Sequence, residues 1–216
     1  MKTRHVCGMF AAVAIVLALT ATGLSQDESD KKKAHEDAPP GQPAAPSPEQ
    51  MQKWVATMSP GAHHKYLEPF VGTWKTQSKM WMAGPGSQPM VSSGVSTIKW
   101  VLGGRFIMEE HTGQMMGQPY EGIGLTGYDN YQNMYTFSWY NSMSTATVTG
   151  RGTRHPGTGV FTFYGPMDEP MIDVHNRTVK YVTRFIDKDT HVLDIIDLHA
   201  GDDYKVIEIT YTRDKS

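Results

Sequence analysis

From Val71 to the C-terminus the chain keeps a two-residue hydrophobic period, which is what a β-strand with one buried face requires. In the first run Trp74, Thr76, Ser78, Met80 and Met82 share one parity, and Thr73, Lys75, Gln77 and Lys79 share the other. The lysine face belongs in water and the Trp/Met face in the interior. Ile98, Trp100 and Leu102 flank Lys99 in the same way; Tyr135, Phe137 and Trp139 alternate with Thr136 and Ser138; Ile207, Ile209 and Tyr211 alternate with Glu208, Thr210 and Thr212. Turn formers punctuate the runs, among them Gly84-Pro85-Gly86, Gly103-Gly104, Asp129-Asn130 and His155-Pro156-Gly157. The pattern predicts about ten strands: 71–82, 90–102, 104–112, 120–128, 133–141, 144–151, 159–164, 177–187, 190–199 and 203–213. Consecutive short strands with tight turns make an up-and-down meander, and a sheet that long removes its edges by closing on itself. The fold class is therefore all-β: a closed antiparallel up-and-down barrel of about ten strands, with one or two short N-terminal helices.

The helices come from a different period. Ser47 is a good N-cap with Pro48 at the first helical position, and Met51, Trp54, Val55 and Met58 then recur at helical spacing. Ser59-Pro60 restarts the signal for a short second helix to about Leu67, which Pro69 ends.

Upstream of the domain at 48–216 the composition changes twice. Residues 1–25 read as a secretory signal peptide: Lys2 and Arg4, an apolar stretch from about Val6 to Leu19, then small residues at Ala21, Gly23 and Ser25 that suit cleavage. Residues 26–47 hold charged groups followed by Pro39, Pro40, Pro43 and Pro46, with no aromatic residue, and read as a disordered linker. The mature protein is thus expected to be exported, periplasmic or extracellular. The chain's one cysteine, Cys7, leaves with the signal, so neither disulfides nor thiol chemistry are expected. The net charge of −2 gives nucleic acid no basic surface, and the apolar stretch at the N-terminus leaves no integral span after cleavage.

The strand faces expected to point inward are mixed. Thr76 and Ser78 sit with Trp74 and Met80, and Asp197 with Leu193 and Ile195. A barrel filled solid favours apolar residues throughout, so mixed faces point to a partly hydrated cavity.

No catalytic motif accompanies that cavity. Gly122-Ile-Gly124-Leu-Thr-Gly127 matches a dinucleotide fingerprint in letters, but a turn and another strand follow it where phosphate binding needs a helix. Its alternate glycines instead let a neighbouring side chain approach closely or the barrel bend. The histidines show no metal-binding spacing, although His191, Asp197 and His199 share a strand face, so neither a metal nor a cofactor is expected. Glu109 and Glu110 point to opposite faces of their strand, and one of them must face inward, either as half of an ion pair with Arg184 or Lys180 or as the anchor of a ligand's polar end. The many methionines of the strand region suit an adaptable apolar lining.

Several stretches resemble known proteins. Val71-Gly72-Thr73-Trp74 on the first strand, with Tyr211-Thr212-Arg213 on the last, is similar to the Gly-x-Trp and basic residue of calycins, the lipocalin-like barrels. That resemblance assigns Gly72, Trp74 and Arg213 to a closed end where the cation stacks on the indole, an interaction worth about 0.5–2 kcal/mol. More specifically, Leu67 to Trp74, Met80-Trp81-Met82, Trp100 to Phe106, Tyr120 to Asn130, Trp139 to Thr145 and Ile209 to Arg213 resemble the bacterial domain of unknown function 1579 family. The resemblance implies a calycin-like barrel in an exported protein of unassigned activity. Tyr140-Asn141 and His155 depart from it, since an apolar residue followed by Asp, and a hairpin Asp, are expected there.

The reading that follows is a barrel whose cavity holds a small apolar or amphipathic ligand. Met80, Trp100, Tyr135, Phe137 and Trp139 are expected to line it, and Glu110 or Asp197 to fix a polar group. The alternatives are an enzyme acting on a small molecule in the same cavity, favoured by a raised carboxyl pKa, and a ligand-free structural barrel with a solid core.

Overall fold

The computed structural model describes residues 45–170 and 173–216. The expected signal peptide, and the linker up to residue 44, lie outside the described residues. Pro48–Ser216 forms one compact unit. It opens with helix α1 (Pro48–Met58), a single turn α2 (Ala62–Lys65) and a 3-10 turn (Glu68–Phe70). Ten strands follow: β1 (Gly72–Met80), β2 (Met90–Val101), β3 (Phe106–Met115), β4 (Gln118–Asp129), β5 (Met134–Asn141), β6 (Ser144–Arg154), β7 (Phe161–Glu169), β8 (Val174–Asp187), β9 (Thr190–Asp197) and β10 (Lys205–Arg213). Each pairs antiparallel with the next, and β10 returns to β1 to close the barrel, with Trp74 opposite Arg213 and Met80 opposite Ile207. The expected all-β barrel and its strand number are both present.

Some boundaries differ from the sequence expectation. β3 and β4 run toward each other to a two-residue turn at Met116-Gly117, both at positive φ (53° and 76°), the geometry a tight hairpin needs. The sequence hides this turn because Met, not Asn or Gly, occupies its first position. β1 stops at Met80, so Met82 is exposed, and β2 stops at Val101, so Leu102 turns outward at φ 51°. Helix α1 forms as expected, but Met51, Trp54, Val55 and Met58 are exposed. The C-terminal end of α1 is tied to the barrel: Arg105 Nε donates to Met58 O (2.9 Å), and Asn130 Nδ2 donates to Thr57 O (3.1 Å) and Ser59 O (2.7 Å). These bonds satisfy carbonyls a helix end leaves open.

The end of the barrel beneath α2 is packed solid. Leu67 and Phe70 descend into it and meet Trp74, Ile98, Tyr135 and Phe161. Trp74 is wholly buried, and its indole N–H donates to Phe70 O (2.7 Å). Tyr135 OH donates to His63 O (3.0 Å), and the His63 ring stacks on Tyr128 at 4.2 Å, pinning α2 over the end.

Arg213 seals the same end. Its guanidinium lies 4.1 Å over the Trp74 ring and donates to Val71 O (2.9 Å) and Pro69 O (2.8 Å). Gly72 makes this possible: its φ is +136°, and a Cβ there would overlap the guanidinium. One residue thus ties the last strand to the first and to the plug. On the outer wall a charge ladder crosses four strands, from Lys79 to Glu208 (3.2 Å), Glu208 to Lys205 (2.7 Å), Lys205 to Asp194 (2.8 Å) and on to Arg184. Val192 and Ile196 lie buried on the same outer face of β9, in keeping with long charged stems that cover apolar surface.

Arg213→Lys keeps the charge but loses the two-pronged donor. It is expected to lower the unfolding free energy by about 2 kcal/mol, seen as a lower urea midpoint at constant m-value. An unchanged midpoint would show that the stack does not hold the barrel shut.

Candidate functional site

Above the packed end the barrel encloses a cavity of about 380 Å³. Strand number is one cause. A barrel of about eight strands is just filled by its own side chains, and ten strands make a wider one. Small inward residues are another, notably Thr76, Ser78, Ser92 and Gly124. Phe70, Leu67 and His191 form the floor.

The walls divide by chemistry. β6 to β10 present mainly Val148, Phe161, Phe163, Leu193, Ile195 and Ile209. β1 to β5 add most of the polar groups, among them Thr76 and Ser78, Ser92, Glu109 and His111, Tyr120, and Asn141, and β8 to β10 add Tyr181, Thr183, His191 and Tyr211. The polar wall is a network around Glu109. Ser96 Oγ donates to Glu109 Oε1 (2.6 Å) and lies 2.9 Å from His111 Nδ1. Ser has one hydroxyl hydrogen, so with it given to the carboxylate the assignment that satisfies both contacts puts a proton on His111 Nδ1. The Tyr211 hydroxyl also bonds Glu109.

Burial sets the titration of these groups. It pushes the Glu109 carboxyl up from its ordinary 4.5, and the Ser96 and Tyr211 hydrogen bonds offset part of that. It raises Tyr211 well above 10, and the neighbouring Glu109 charge adds to the rise. It lowers His111, and it takes His191 to about 3 with help from the Arg213 charge. Two buried polar atoms of lining residues, Tyr181 OH and His191 Nδ1, have no hydrogen-bond partner among the described residues.

Glycines shape the polar wall as the sequence suggested. A side chain at Gly122 or Gly124 would overlap the Trp139 indole, which lies across both from the next strand. There Trp139 Nε1 donates to Tyr120 OH (3.1 Å). The strand-turn-strand context removes any dinucleotide reading of these glycines.

The structure places the expected site residues in three locations. Met80, Phe137 and Trp139 line the cavity. Trp100 and Tyr135 point inward but sit at the packed end, where Trp100 Nε1 donates to Glu68 Oε2 (2.6 Å) and Tyr135 supports α2. The two expected anchors are corrected. Glu110 is exposed on the outer face and bonds Lys99 Nζ (2.7 Å), because Ile107 must face the core and β3 then turns Glu109 inward. Asp197 shares the inward parity of Leu193 and Ile195, but Arg177 Nη1 holds one carboxylate oxygen (2.7 Å) and the His199 N–H the other (3.0 Å). Nor does Glu109 pair with Arg184 or Lys180; Arg184 belongs to the outer ladder. Parity counted from Ile107 was the signal that would have selected Glu109. Among the described residues no three His, Cys, Asp or Glu side chains converge as metal ligands. Ser96 is wholly buried and its hydroxyl is engaged, so it offers no open nucleophile.

A closed ten-stranded meander, plugged at one end by a Trp–Arg stack and hollow above it, defines a calycin-like barrel. The chain belongs to the family described as "Protein of unknown function (DUF1579)", whose model matches residues 59–213. Among solved structures it is similar to the S-type phycobiliprotein lyase CPES from Guillardia theta, at 14% identity and a TM-score of 0.48, over 79% of this chain and 99% of that one. No curated protein matches it.

Two outcomes follow from this geometry. Gly122→Val is expected to displace Trp139 and cost roughly 1–3 kcal/mol, with loss of near-ultraviolet dichroism from that indole; an unchanged spectrum would mean the two do not pack. His191 stays neutral in the native barrel while the unfolded chain's imidazole takes up a proton near 6.5. The unfolded state therefore binds more protons below that pH, and stability falls as pH drops from about 6.5 toward about 3, by up to about 1.4 kcal/mol per pH unit. His191→Phe is expected to flatten that acid limb in urea titrations run at several pH values.

Proposed function

We propose that this protein is an exported binding protein that holds one small, mostly apolar ligand inside its barrel. The observation behind the reading is the cavity of about 380 Å³, which is apolar on one wall and carries a few clustered polar groups on the other. That volume and that lining suit a small-molecule site. The unfilled interior counts against a solid structural barrel. Export is supported by the charged start, apolar stretch and small residues of positions 1–25.

The raised pKa of Glu109 favours a second reading, in which the same cavity turns over a small molecule with Glu109 as acid or base. Retention of an unaltered ligand separates binding from turnover.

The test is native mass spectrometry of the protein purified from its own host, with extraction of what it carries. One equivalent of a small organic molecule is the expected result. Ile195→Trp, which fills the apolar wall, is expected to remove that mass while the protein stays folded. An apo mass in the wild type, together with no uptake of a neutral naphthyl alcohol at millimolar concentration, would overturn the binding reading.

A further inference from the structure

The charge of the cavity narrows the ligand class, on the premise that the barrel binds a ligand at all. Among the described residues that line it, Glu109 is the one acid, and no lysine or arginine joins it. The two lining histidines, His111 and His191, are both held below their ordinary pKa by burial, so neither supplies a cation at neutral pH. The nearby guanidiniums are engaged elsewhere. Arg213 lies on Trp74 and on plug carbonyls, and Arg177 is paired with Asp197. A carboxylate or phosphate ligand entering this space would find no cationic partner for its charge, and the one titratable acid it would face is another carboxyl, Glu109.

The surroundings of Glu109 favour the opposite charge. The carboxylate already accepts hydrogen bonds from Ser96 and Tyr211, which hold it in place, and an oxygen with several lone-pair sites accepts more. Tyr120 adds an aromatic ring and a hydroxyl on the same wall. Trp139, held across Gly122 and Gly124, adds an indole that also lines the cavity. A carboxylate beside aromatic rings is the chemistry that recognises an organic cation. The opposite wall offers its apolar body a surface of Phe163, Leu193, Ile195 and Ile209.

We propose that the barrel selects an amphipathic amine: an apolar body with a single protonated nitrogen, placed with that nitrogen on Glu109.

Three compounds on one frame test this: 2-naphthylmethylamine, 2-naphthylmethanol and 2-naphthoic acid, titrated by calorimetry at pH 7.5 into the protein purified from its own host. The amine is expected to bind at least tenfold tighter than the alcohol, and the acid at least tenfold weaker. Glu109→Gln is expected to bring the amine to the alcohol's affinity while changing the alcohol less than threefold. Glu110→Gln, on the outer face, is expected to change none of the three. An acid that binds as well as the amine, or an amine preference that survives Glu109→Gln, overturns the proposal. If the alcohol binds and the amine shows no advantage, this inference fails and the binding reading stands. If the protein carries no molecule from its host and none of the three binds, both fail; where it does carry one, the titration is run after that molecule has been extracted. The order among the three in the wild type is decisive without any variant, so a misfolded Glu109→Gln would not shield the proposal.

Discussion

The contact between Arg213 and Trp74 is the constraint on which the rest of the barrel depends. It joins the last strand to the first, and it holds the plug against both through the carbonyls of Pro69 and Val71. Its parts are mutually conditional. The guanidinium reaches the plug only because Gly72 has no side chain, and the indole faces it because its N–H is fixed to Phe70 O. A planar, always-charged fork serves both the ring and the carbonyls, which a lysine would not. With that end closed, the large side chains there are used up in packing, and the wider part of the barrel above is left unfilled.

The cavity is a consequence of economy in side-chain volume. On the polar wall Trp139 is laid across two glycines of the neighbouring strand, so a large residue occupies little of the lumen. Serines and threonines on β1 and β2 occupy little more. The apolar wall has larger groups but does not reach across. Glu109 therefore sits in a space with low polarity on one side and a small hydrogen-bonding cluster on the other, which is why its proton is held more tightly than usual.

Much of the fold was legible in the chain because the two-residue period is a direct image of one buried strand face. The closed barrel and its strand number follow from local patterns, while the Gly72–Trp74–Arg213 seal follows from the resemblance of the first and last strands to calycins. Position along a strand was harder to read. Trp100 and Tyr135 carry the inward parity but lie below the cavity, since parity does not say at which height a plug ends. Glu110 is the anchor the sequence suggests, yet Glu109 is the inward residue, the face that counting from Ile107 gives. Asp197 was inward by parity, yet its partner Arg177 is on another strand, and cross-strand pairing is set by register that a single sequence does not display. The network of Ser96, His111, Tyr120 and Tyr211 around Glu109 was missed for the same reason: its members come from four strands.

The strand order also separates two kinds of contact in time. Nine of the ten pairings join neighbours in the chain and need only a hairpin to form, while β1 with β10 spans nearly the whole domain. Loop closure of that length is paid for late. Until it happens the meander is an open sheet with two free edges and no enclosed interior. The lumen is enclosed only in the state where β10 pairs with β1 and Arg213 lies on Trp74, so the same contact that stabilises the fold also defines the space a ligand would occupy.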